Sequence, residues 1–179
     1  GLGLVALWLV LRRPPRPMAD PQDHTDAMRL WREGRLTEAR DALRTLVKDD
    51  TAPSEAYLNL GTLYRLTGDA GRAAAMHRTL AVRTGLTRRR RVAVGLELAA
   101  DLIALGRAEE AADVLAQLAP HTRHTARWYR LRFEAAAGRD DVEAADRALR
   151  EGEKNLAGKP ARTMADTRAA WLVDRALQE

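Results

Sequence analysis

Residues 54–81 read SEAYLNLGTLYRLTGDAGRAAAMHRTLA. Tyr57, Leu60, Gly61 and Tyr64 recur at spacings of three and four, which places them on one face of a helix. Gly68-Asp69 interrupts that pattern, and Asp69 is a good N-cap for a second helix because its carboxylate can accept from a free amide of the next turn. Ala73, His77 and Leu80 then carry the packing face of that second helix. Gly61 and Ala73 stand where two helices cross closely and no larger side chain fits, while Tyr57 and Tyr64 fill the space between helices. His77 occupies a position that usually holds a large apolar or aromatic residue, and it reads as a packed, half-buried histidine.

The same unit recurs along the chain. Gly34, Gly68, Gly106 and Gly138 each separate two apolar-periodic stretches, and Ala39, Ala73 and Ala111 each follow their glycine by five residues. A period near 34 with this punctuation is the signature of tetratricopeptide (TPR) repeats, helix–turn–helix units that stack into a right-handed α-solenoid. The first repeat pairs a helix near 21–33, opened by Asp20-Pro21, with one near 38–48 capped by Thr37, its core face on Leu43 and Leu46. The third repeat starts after four extra residues, Arg88 to Arg91, and Leu98, Ala99, Leu102, Leu115 and Leu118 fall in register. The fourth is degenerate: Trp128, Tyr129 and Leu131 precede Gly138, but Ala144 follows that glycine by six residues. Pro160 opens a further helix through Trp171 and Leu177. Its apolar face needs cover, either by acting as the terminal cap or from chain beyond it. The domain organisation expected is 1–11 membrane anchor, 12–20 basic Pro-rich linker, and 21–179 solenoid of four repeats plus a terminal helix.

Composition agrees with an all-α scaffold. Aromatic residues are 4% of the chain, so the core must be Ala, Leu and Val, which suits closely packed helix pairs and not a sandwich or barrel. There is no cysteine, which excludes disulfides and cysteine-ligated zinc. The net charge is +5 and the pI about 10.2, yet acids and bases alternate along most helices, so most charge is a solvated face. The preference for Arg over Lys along the whole chain reads as coding bias.

Gly1–Leu11, GLGLVALWLVL, carry no polar side chain except the Trp8 indole, and Arg12-Arg13-Pro14-Pro15-Arg16-Pro17 follow. Eleven helical residues span about 16 Å against the roughly 20 residues a bilayer needs. The stretch is read as the inner end of a trimmed transmembrane helix, with Trp8 in the aromatic belt and the arginines on the cytoplasmic side. A signal-peptide remnant would carry its charge before the apolar stretch and end in a small-residue cleavage site. A buried helix is the third reading. The anchor reading implies a single-pass bacterial inner-membrane protein with cytoplasmic repeats.

No catalytic constellation is visible. His121-x-x-His124 has a two-ligand spacing but no third ligand, and Gly1-Leu2-Gly3 follows no strand, so neither metal nor phosphate loop is expected. Glu109-Glu110 and Asp140-Asp141 sit at helix starts, where they favourably oppose the helix dipole. The run Arg88, Arg89, Arg90, Arg91 does the reverse. A solvated basic corner accounts for it, and so does a partner: acidic protein or lipid headgroups. Nucleic acid is not expected, because no exposed aromatics interleave with the arginines. First helices of successive TPR repeats line a concave groove, and by register Glu55, Leu58, Asn59, Thr62 and Arg65 face it, with Asn59 and Arg65 as donors to a peptide backbone or carboxylate. These five and the four arginines form the candidate partner-binding set. No cofactor is expected.

The ordered features resemble the lipopolysaccharide assembly protein B family of Gram-negative bacteria. The likeness lies in EAYLNLGTLYRLTGDAGRAAAMHRTLAVRTGLTRRRR (55–91) and ELAADLIALGRAEEAADVLAQL (97–118), with its His77-Arg78-Thr79-Leu80 segment, the GLT before the third repeat and the four-residue excess. Upstream, RLTEARDALRTLVKDD (35–50) fits the first repeat and the apolar start fits the anchor. The resemblance implies an inner-membrane, non-enzymatic adaptor with cytoplasmic repeats that couples a membrane protease to a lipopolysaccharide-synthesis enzyme. Family members also carry a zinc domain with paired C-x-x-C motifs. With no cysteine the chain is expected to be a fragment or a shortened relative, and zinc is not carried over. The rival expectation is a scaffold subunit of another envelope complex.

Overall fold

A computed structural model describes residues 21–48, 52–122 and 125–177. Among the described residues there are nine helices and no strand. They are α1 (Pro21–Arg32), α2 (Leu36–Leu46), α3 (Ser54–Leu66), α4 (Ala70–Ala81), α5 (Arg88–Ala104), α6 (Ala108–Thr122), α7 (Ala126–Ala137), α8 (Val142–Asn155) and α9 (Gly158–Ala176). Each odd helix packs on the even helix that follows it, and each even helix on the next odd one, so the molecule is a stack of four antiparallel pairs closed by α9.

One hydrogen bond repeats at every turn within a pair. The amide of Arg35, Asp69, Arg107 and Asp141 donates to the carbonyl of Leu30, Tyr64, Leu102 and Ala136 respectively, at 2.8–3.0 Å. This six-to-one closure requires a left-handed residue just before the donor. Gly34, Gly68 and Gly106 supply it with φ of 78°, 91° and 70°. In the fourth turn the left-handed residue is Asp140, φ 56°, and Gly138 has a helical φ of −66°. This corrects the expected phase. Counted from Asp140, the alanine five residues on is Ala145, which is fully buried, and the spacing from Gly106 is 34 residues. Gly138 is small for another reason: a Cβ there would lie 3.2 Å from Ala108 at the start of α6.

Thr37 is not the cap of α2. The helix already begins at Leu36, and Arg35 holds the N-cap position with no side-chain cap. Arg35 instead forks onto Glu38 and reaches Glu33, an exposed cluster that pins the turn. Asp69 caps α4 as expected, accepting from the Arg72 amide at 2.9 Å.

The core is a ladder of aliphatic rungs. Leu43, Leu60, Leu63, Leu80, Leu102 and Leu115 are each no more than 1% exposed, and each contributes about 1.5–3 kcal/mol of burial. Trp128 and Tyr129 enlarge the ladder at α7, where the Trp128 indole donates to the Leu115 carbonyl. Beyond them Trp171 of α9 meets Phe133 edge-on at 5.6 Å between ring centres. Among the described residues no helix is long and apolar enough to cross a membrane. The expected anchor and linker, residues 1–20, lie outside the described residues.

Candidate partner-binding surface

Side-chain contacts define two edges of the stack. Asn59 midway along α3 meets His24 in α1, and Arg90 at the start of α5 meets Ser54 at the start of α3. Tyr57 reaches the Val47 carbonyl just past the end of α2, and Tyr129 bonds Asn155 at the end of α8. Starts of odd helices and ends of even helices therefore share one edge, and the left-handed turns form the other.

The residues expected to line a groove divide into two groups. Glu55 and Arg90 are brought together at 3.1 Å on the first edge, with Glu55 exposed and Arg90 also donating to the Ser54 hydroxyl. Arg88, Arg89 and Arg91 are exposed on the same edge, in the first turn of α5 capped by Thr87. The others face neighbouring repeats. Half-buried Asn59 donates its amide towards His24 Nε2 (3.2 Å) and Met28 Sδ (3.4 Å) of α1. Buried Thr62 donates to the Leu58 carbonyl of half-buried Leu58. The Arg65 side chain is 20% exposed and reaches into α5.

Arg65 is the centre of a relay that links three repeats. Its Nε donates to Asp101 Oδ1 at 2.9 Å and a terminal nitrogen donates to Glu97 Oε2 at 2.7 Å. The other Asp101 oxygen lies 2.5 Å from His77 Nδ1, and His77 Nε2 donates to the Leu58 carbonyl at 3.0 Å. Arg127 of α7 completes the relay on Glu97 Oε1 at 2.6 Å. His77 and Asp101 are wholly buried. Both ring nitrogens face acceptors, so the ring is held between the Leu58 carbonyl and the Asp101 carboxylate. Gly61 makes room for the ring, since a Cβ there would stand 2.4 Å from Nε2. Burial pushes the Glu97 carboxyl up, but the hydrogen bonds and charges of Arg127 and Arg65 outweigh it and hold the group below its usual range.

The sequence reading placed His77 as half-buried and did not find Asp101, Glu97 or Arg127 as its partners. The available signal was ELAAD (97–101): two acids four apart on a helix whose other residues there are apolar. Acids at that spacing share a helix face. His121 ends α6 with its Nδ1 against Arg88, and His124 lies outside the described residues.

Linked in this way, the buried polar groups join the second, third and fourth repeats, while Glu55, Arg88, Arg89 and Arg91 stay exposed at the first edge. No protein-family profile matches the chain. Over 101 residues, 56% of the chain, it is 31% identical to lipopolysaccharide assembly protein B of Escherichia coli strain K12, and equally to that of Escherichia coli O157:H7. The match spans 26% of the length of those relatives. Among solved structures, MamA 41-end from Desulfovibrio magneticus RS-1 superposes with a TM-score of 0.63 at 20% identity, over 75% of each chain. MamA MSR-1 C2 superposes with a TM-score of 0.56 at 19% identity, again over 75% of each chain. These two likenesses establish the fold. The chain has a tetratricopeptide-repeat-type fold and is similar, over a little more than half its length, to lipopolysaccharide assembly protein B.

Proposed function

We propose that this chain is a non-enzymatic adaptor that holds partner proteins at the cytoplasmic face of a bacterial inner membrane. Gly1–Leu11 act as part of a single-pass anchor and 12–20 as the linker to a solenoid over 21–179. The partners are a membrane protease and a lipopolysaccharide-synthesis enzyme, and neither cofactor nor nucleic acid takes part. The observation that carries the reading is the coincidence of a helix-pair stack with 31% identity to lipopolysaccharide assembly protein B across 101 residues. Because that match spans 26% of the relative, a scaffold subunit of a different envelope complex is the second reading.

The contact surface is the odd-helix face and first edge of repeats two and three. Glu55 supplies its α3 side and Arg88 to Arg91 its α5 side, while Leu58, Asn59, Thr62 and Arg65, expected there from the sequence, pack beneath them against neighbouring repeats. Glu55 and Arg90 are the accessible pair. Exposed pairs of this kind contribute about 0–1 kcal/mol to stability, so Glu55→Ala with Arg90→Ala should leave the fold intact. The test is co-purification of the full-length native protein from detergent-solubilised membranes, with mass spectrometry of what is retained. Recovery of a membrane protease and a lipopolysaccharide enzyme, weakened about tenfold or more (about 1.4 kcal/mol) by the double substitution at an unchanged melting temperature, is the expected result. Recovery of an unrelated membrane complex sinks the lipopolysaccharide assignment. Capture indifferent to both substitutions sinks the surface.

A further inference from the structure

Charge differs between the two edges from the end of α4 onward, whereas earlier on the first edge the sequence carries Asp23, Asp49, Asp50 and Glu55. The turns of the second edge carry acids: Glu33 and Glu38, Asp69, Glu109 and Glu110, Asp140 and Asp141. Arginines there are matched to them, as in Arg107–Glu110 and Arg139–Glu109. On the first edge, three consecutive connections contain no Asp or Glu: 82–91, 114–133 and 154–165. The first of these holds Arg83 and Arg88 to Arg91, the second four arginines and two histidines, and the third Lys154, Lys159 and Arg162. Among the described residues, Arg83, Arg88, Arg89 and Arg91 face no carboxylate. Arg83 stacks on the Tyr57 ring at 4.3 Å, Arg88 lies against His121, and Arg91 donates to the Leu86 carbonyl.

This edge is also amphipathic. Val82, at its centre, is 80% exposed. Beside it a cleft of 510 Å³ opens under Arg88, Arg91 and His121, floored by Val92, Leu98 and Leu118. A cationic rim over an apolar floor matches a molecule with an anionic head and an apolar body. A uniformly acidic polypeptide or a nucleic acid backbone offers the charge without an apolar body.

We infer that the first edge of the solenoid docks on an anionic lipid bilayer, with Arg83, Arg88, Arg89 and Arg91 over the headgroups and Val82 at the interface. The contact is made by the folded repeats and goes beyond the anchor proposed above. Each such cation is worth about fivefold in partition (about 1 kcal/mol).

With no native cysteine, a fluorophore can be placed uniquely through Thr84→Cys on the first edge or Ala137→Cys near the second. The full chain is mixed with phosphatidylcholine vesicles containing brominated lipid, with or without phosphatidylglycerol. Quenching at Thr84 only, strong on anionic vesicles, weak on neutral ones and reduced by salt, is the expected result. Replacing Arg83, Arg88, Arg89 and Arg91 by Glu, or by Gln as a milder set, should abolish it with the circular dichroism spectrum unchanged. Equal quenching at both labels, quenching indifferent to the arginines, or binding of polyglutamate or duplex DNA without charge-dependent quenching would overturn the inference. Flotation with neutral vesicles reads the anchor separately, so either proposal can fail while the other stands.

Discussion

Gly61 and His77 are one design expressed in two residues. The imidazole occupies the volume that a side chain at position 61 would need, with 2.4 Å between its Nε2 and an added Cβ. Gly61→Ala should therefore cost about 1–3 kcal/mol, the usual penalty of overpacking. In a His77→Ala background the clash is gone and alanine is the better helix former, so the same change should stabilise by up to about 1 kcal/mol. Urea unfolding of the four members of this cycle decides it, and an equal cost in both backgrounds would remove the steric argument. The small residue at 61 was legible from the repeat pattern. The hydrogen-bonded role of His77 was not, because its partner Asp101 is 24 residues away and only the fold brings them together. Glu97 adds a pH dependence. Its carboxyl sits below its usual range in the folded chain, so the stabilisation it contributes is present above the unfolded value near 4.5 and is lost as pH falls through the folded value. Melting temperatures of the wild type and Glu97→Gln should differ most near neutral pH and converge as the pH falls below the folded value. A gap that widens on acidification would mean that the paired carboxylate is not the stabilising form.

At the scale of the element, α5 carries the main departure from the repeat. Arg88 to Arg91 were legible as an insertion of four residues, and they form an additional first turn of that helix. Four cations there oppose the helix dipole. Arg89 is exposed and has no ion-pair partner among the described residues. Arg89→Glu should therefore stabilise the chain by about 0.3–1 kcal/mol, read as a higher urea midpoint at unchanged slope, while weakening vesicle quenching at Thr84. A loss of stability would show instead that Arg89 holds the fold. The fourth turn shows why helix boundaries were harder to read than helices. Glycine marks the left-handed position in three turns, so Gly138 attracted the same role. Aspartate tolerates that conformation through local hydrogen bonding of its short side chain, and Asp140 takes it two residues later. Arg35 rather than Thr37 precedes α2 for a similar reason: the closing amide must follow Gly34 directly, whatever residue stands there.

In the whole molecule, each repeat meets only its neighbours, so stability should be a sum of repeats and interfaces, with cooperativity set by the strength of those interfaces. The relay through Leu58, His77, Asp101, Arg65, Glu97 and Arg127 joins α3, α4, α5 and α7, crossing two repeat boundaries with buried charge. Asn59 with His24 and Met28 makes a weaker, neutral tie to the first repeat. At the far end α9 is held by apolar contacts such as Trp171 on Phe133, and by Arg168 on Asp146 and Arg175 on Asp140, while Val173 is 62% exposed. Removing one partner from a buried ion pair costs about 3–5 kcal/mol because the other charge remains buried. Asp101→Asn leaves Arg65 with Glu97 alone and should raise amide exchange in α3, α4, α5 and α7 together. Trp171→Ala should raise it in α9 and the contacting face of α7 and α8, with α3 and α4 unchanged. Native-state hydrogen exchange resolved by peptide fragments separates these outcomes. A uniform rise over all nine described helices in both variants would mean that the stack unfolds as one unit, and that the ionic relay does not define a central block distinct from the terminal helix.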